Sequence, residues 1–123
     1  MIVNAQAPVS QITSDDLRSI FMGKLFVFPG SSTEVIALDQ VSQSPIRSEF
    51  YERVANKSPR KMNTYWARYL FTGKGKPPEI VQGGDAAVVT KVGSSPNFIG
   101  YVDRAAVNGQ VKVVFSLDTL GVQ

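Results

Sequence analysis

The side chains best suited to chemistry stand close together, in the stretch ALDQVSQSPIR that carries Asp39, Gln40, Ser42, Ser44, Ile46 and Arg47. Hydroxyls, open main-chain amides and a guanidinium are the groups that hold an oxyanion. Their order matters more than their number. Val35 to Leu38 is a short apolar run suited to a strand buried on both faces. Asp39 to Gln43 reads as a polar loop, and Ser44-Pro45 as the start of a helix, with serine at the N-cap and proline in the first turn. A strand that runs through a loop into a helix N-terminus is a common place for α/β proteins to hold an anion. Ser42, Ser44, the amides of Ile46 and Arg47 and the Arg47 guanidinium are the candidate ligands, and the helix dipole adds ~0.3–1 kcal/mol at an exposed site. Each has a plainer reading. Capping alone explains Ser44, and for Arg47 a structural role, pointing into solvent or pairing with Asp39, stands level with the ligand role. Asp39 would repel an anion, although it could accept a hydrogen bond from a monoprotonated phosphate, and Pro45 removes one amide donor.

Other chemistry finds little support. The 123 residues include no histidine and no cysteine, so the commonest general base, the commonest metal ligand and all thiol chemistry are missing. Asp15-Asp16 is the one adjacent acidic pair, and a helix N-terminus accounts for it. Asp103, Asp118, Glu49 and Glu52 show no partner that would make an acid–base pair or a metal cage. Neither catalysis nor a cofactor is therefore expected. Lys74-Gly75-Lys76 lacks the spacing of a phosphate loop. Arg60, Lys61 and Arg68 with Tyr65 and Trp66 suggest a basic-aromatic surface for single strands. The aromatics fit a buried stripe and the bases fall on the other face, so no nucleic acid partner is expected. The net charge of +3 permits an anionic partner without demanding one.

Around this stretch the chain punctuates itself. Ile2 to Asn4 reads as a first strand, ended by a turn region at Pro8. Thr13 begins a helix with Ile12 and Leu17 as a hydrophobic staple, a stripe of Leu17, Ile20 and Phe21, and Gly23 as its stop. Leu25 to Phe28 is a strand or a crossing segment, and Pro29 to Ser32 turns the chain back. Ile46, Phe50 and Val54 line one face of the Ser44 helix, with Tyr51 beside them. Ser58-Pro59 repeats the helix start, and Met62, Tyr65, Trp66, Tyr69 and Leu70 follow helical spacing as core. Gly73 to Pro78 is a loop. Gly83-Gly84-Asp85 caps a helix carrying Val88, Val89 and Val92 and stopping at Gly93. Phe98 to Val102 and Val111 to Phe115 are strands, and Gly100 implies a close neighbour. Interleaved strands and helices give an α/β class, a mixed sheet flanked by helices.

The length suits one domain over residues 1–123. No run approaches the ~20 apolar residues of a membrane span. MIVNAQAPVS lacks the basic and apolar regions of a signal peptide.

The order of these pieces resembles a known family. ITSDDLRSIFMGK, a Pro-Gly turn, EVIALDQVSQSPIRSEF, YWARYLFTGKGKPP and PNFIGYV are similar to the phosphate-binding domain of phosphate ABC transporters. They are closer still to its small exported, substrate-binding-like versions. The resemblance spans about Ile12 to Phe115. It implies a periplasmic or extracellular protein and a single lobe of a type II periplasmic-binding-protein-like fold. It corresponds to the second lobe and crossing strands of a two-lobed receptor, with no counterpart of the first. It also implies inorganic phosphate or another small oxyanion as ligand and an ABC transporter membrane component as partner. A homodimer of facing chains would complete a cleft. Where the family carries an arginine and a Ser-Gly-Thr-Thr run, this chain has Asp39 to Ile46. The alternative is an interaction module of the same fold that has lost its ligand.

Overall fold

The computed structural model describes residues 1–70 and 77–116. In chain order the elements are β1 (Ile2–Asn4), α1 (Ser14–Phe21), β2 (Ile36–Gln40), α2 (Pro45–Val54), α3 (Pro59–Leu70), β3 (Glu79–Val81), α4 (Gly84–Ser94), β4 (Phe98–Gly100), a 3-10 turn (Arg104–Ala106) and β5 (Val111–Val113). The strands form one mixed sheet in the order β3-β2-β4-β1-β5. β2 runs parallel to both β3 and β4, whereas β1 runs antiparallel to β4 and β5.

Alternation along the strands divides the core in two. Val3, Ala37 and Ile99 pack with Leu17, Phe21, Phe50, Val54, Met62 and Trp66 from α1, α2 and α3. Their neighbours Ile2 and Leu38, with Val81 and Val111, pack with Val88, Val89 and Val92 of α4. The sheet is thus covered on both faces, as an α/β reading requires. Gly100 lies where α4 crosses β4: a Cβ there would stand 2.7 Å from Cγ1 of Val88.

Helix boundaries follow the capping chemistry closely. Thr13 Oγ1 accepts the amide of Asp16 at 3.1 Å, and Gly23 takes a φ of +77° just past the end of α1. The two Ser-Pro starts differ, however. Ser58 Oγ accepts the amide of Lys61 at 3.3 Å, whereas Ser44 occupies the N-cap of α2 without a side-chain cap bond.

Other expectations need correction. Asp39 and Gln40 are not in a loop; they complete β2, and both are buried. β3 was not foreseen: three residues at a sheet edge, with Ile80 61% exposed, carry no periodic signal. Leu25 to Phe28 contributes only an isolated bridge between Val27 and Glu34. Gly93 lies inside α4, which ends at Ser94. Met62 and Trp66 are buried as the stripe predicts, but Tyr65 and Tyr69 are half-buried and share a groove with Lys57, Lys61 and Arg68. Residues 71–76 of the expected loop and the tail beyond Ser116 lie outside the described residues.

Candidate functional site

β2 ends on a buried carboxylate. Oδ1 of Asp39 accepts the Gln40 amide at 2.8 Å and the Tyr101 hydroxyl. Oδ2 accepts the Tyr51 hydroxyl at 2.7 Å and Nε of Arg47 at 3.3 Å. The helix explains the convergence: Arg47 and Tyr51 are four residues apart, so both descend from one face of α2 onto the strand end. Phe50 stacks on Tyr101 with ring centroids 4.4 Å apart and so fixes the second phenol. The Arg47 guanidinium carbon lies 5.2 Å from the centre of the Tyr51 ring. Arg47 is only 7% exposed, and its Nη1 has no hydrogen-bond partner among the described residues.

Burial, then the Asp39 charge and hydrogen bond, push the Tyr51 and Tyr101 phenols far above the ordinary range. Both therefore remain neutral donors. A buried carboxylate that accepts two phenols, an amide and a guanidinium has its charge well satisfied. Of the two plain readings of Arg47, the structure selects the pair with Asp39.

Gln40 forms a second knot. Its Nε2 donates to Oδ1 of Asp85 and to the Tyr101 carbonyl, each at 2.9 Å. Its Oε1 accepts the Ser44 hydroxyl at 2.9 Å, which is why Ser44 does not cap α2. Asp85, in the first turn of α4, accepts the Asp103 amide at 3.1 Å through its other oxygen. At the entrance to α2 the Ser44 amide donates to the Val41 carbonyl at 3.0 Å, and the Arg47 amide to the Ser44 carbonyl at 3.2 Å. Ser42 is exposed, Ser44 half-buried. Ile46 is half-buried and borders a cavity of ≈ 180 Å³, with Tyr101, Asp103 and Arg104 on its other walls.

The predicted residues thus divide by depth. Asp39 with Arg47, and Gln40 with Ser44, form two linked buried or half-buried pairs; Ser42 stands outside them. Sequence reasoning missed Tyr51, Tyr101 and Asp85 as members of this network. Tyr51 had a signal, its four-residue spacing from Arg47. Tyr101 and Asp85 arrive through the sheet and α4, and no local pattern announces them.

Fold and connectivity match ABC transporter substrate-binding proteins over part of their length. One similar structure is a Clostridium perfringens protein assigned as a phosphate ABC transporter substrate-binding protein, with bound phosphate. It superposes with a TM-score of 0.72 at 20% identity, over 92% of this chain and 42% of that one. Another is an ABC-type phosphate transport receptor from Vibrio cholerae, with a TM-score of 0.71 at 17% identity, over 92% of this chain and 43% of the receptor. The chain therefore spans about two-fifths of the proteins whose fold it shares. No family model matches it, and no curated protein does either. Among the described residues, no helix is long and apolar enough to cross a membrane.

Proposed function

We propose that this chain is a solute-binding lobe that meets a small oxyanion, inorganic phosphate first, at the start of α2. The observation supporting this is its likeness, over 92% of its length, to a protein whose structure holds phosphate. The ligand groups would be the exposed Ser42 hydroxyl, the Ser44 oxygen and the Ile46 amide, aided by the positive end of α2. Asp39 and Arg47 then serve as supports. Their pairing neutralises the acid that would otherwise repel the anion and fastens the first turn of α2 to β2. Gln40 positions Ser44. Such a lobe binds weakly alone, and a second copy or another lobe would close the site. Its place would be periplasmic or extracellular, beside an ABC transporter membrane component, with no catalytic residue.

Residue-resolved NMR titration with phosphate tests the reading. Saturable shifts at Ser42, Ser44 and Ile46 in the millimolar range are expected, weakened by Ser44→Ala. A flat titration with both phosphate and sulfate removes it.

A second reading has its own observation. Ser44 and Gln40 already satisfy one another, and the Asp85 carboxylate is tied to the same Gln40 amide. That network needs no ligand, and it suits an interaction module that kept the lobe and lost the anion. Under this reading phosphate leaves the Ser44 amide unmoved, while Ser44→Ala lowers stability by about 1 kcal/mol through the lost hydrogen bond.

A further inference from the structure

We propose that the groove along α3 bounded by Lys57, Lys61, Tyr65, Arg68 and Tyr69 docks an acidic segment of a protein partner. This surface is separate from the α2 entrance, and the inference does not depend on what binds there. The groove is open, ≈ 440 Å³, and Thr64 completes its described lining. Lys61 and Arg68 are exposed, Lys57 half-buried, and among the described residues none of the three pairs with a carboxylate. Its floor is the tyrosine pair, stacked with centroids 5.3 Å apart and planes 21° apart.

Charge along the sequence points the same way. Between Glu52 and Glu79 there is no acid, yet that stretch holds Arg53, Lys57, Arg60, Lys61, Arg68, Lys74 and Lys76, seven of the thirteen basic residues. The remainder, with six basic and ten acidic residues, is net −4. Three of these bases, Lys57, Lys61 and Arg68, stand on the groove, and their charge favours negative partners there, which governs encounter and orientation.

The kind of anion follows from the tyrosines. Each faces the other ring, so each keeps at most one outer face for a base, a small platform beside the successive stacking that single strands use. Their hydroxyls donate inward, Tyr65 to the Met22 carbonyl at 2.6 Å and Tyr69 to the Gly23 carbonyl at 3.2 Å, rather than outward to headgroups. Among the described residues, the exposed large apolar ones, Phe26, Ile80 and Val113, do not line the groove, so none of them would carry it into a lipid bilayer. A recessed aromatic floor with a cationic rim fits a peptide that alternates carboxylates with an apolar side chain.

The test uses the full chain and a fluorescein-labelled twelve-residue peptide of glutamates interspersed with leucines, followed by anisotropy. Binding is expected at low salt, with loss of at least about tenfold in affinity as ionic strength is raised to 0.5 M. Lys61→Glu/Arg68→Glu should abolish it while the circular dichroism and melting temperature stay unchanged, since both side chains are exposed. Lys57→Glu provides an independent variant with the same expected loss. Peptide affinity unaffected by these reversals overturns the proposal. So does tighter binding to phosphatidylglycerol vesicles or to oligothymidylate than to the peptide.

Discussion

At the scale of single residues, Asp39 shows how a charge is kept inside a small protein. Its side chain is 5% exposed and that of Arg47 9%, so neither ion is well hydrated. Removing one partner leaves the other stranded. Arg47→Ala should therefore cost about 3–5 kcal/mol in chemical denaturation. Asp39→Asn/Arg47→Met should cost markedly less than the two single changes added together, because it removes both charges and keeps the volume. The tyrosines carry a pH prediction. Both phenols are raised above their ordinary value of 10.0 in the folded chain. Above that pH the unfolded chain releases protons that the folded chain retains, so this contribution is complete below pH 10 and lost as pH rises. A tyrosinate titration at 295 nm should show Tyr51 and Tyr101, two of the four tyrosines, ionising only with unfolding.

Among the elements, the helices and four of the five described strands were legible, whereas β3, the end of β2 and the order of the strands were not. Thr13, Gly23 and the two Ser-Pro pairs mark helix boundaries because capping is local chemistry. The end of β2 was misread because Asp39 and Gln40 are polar, and polar residues after an apolar run ordinarily signal a loop. They belong to the strand because Tyr101, some sixty residues on, supplies a hydroxyl and a carbonyl that let them be buried. No window along the sequence contains that pairing. Gly100 was legible in kind, though its neighbour was not. Gly100→Ala should destabilise by about 1–3 kcal/mol, because the new methyl meets Val88 across a packed face. The Val88→Ala background should recover part of that loss in thermal melts.

For the molecule as a whole, the resemblance carried by five ordered segments anticipated the architecture, and the superposed receptors share that fold. The candidate site was less legible. Residue types around Ser44 indicated anion chemistry and allowed the Arg47–Asp39 pair, but no local pattern announced that Gln40 holds Ser44 or that Tyr101 and Asp85 complete the network. Thr13→Ala offers a check on the helical side of the fold, with an expected loss of about 1 kcal/mol from the α1 cap.

The position of β1 governs how the chain must assemble. It lies between β4 and β5, which follow it by most of the sequence. Helical hairpins such as α2–α3 form from neighbouring residues, whereas this seam joins distant ones and pays the full entropy of a long closure. Helical signal should appear early in stopped-flow refolding, with sheet and the Phe50–Tyr101 stack arriving together in a slower phase. A nascent chain that has emerged only as far as α4 would hold β1 with neither of its neighbouring strands.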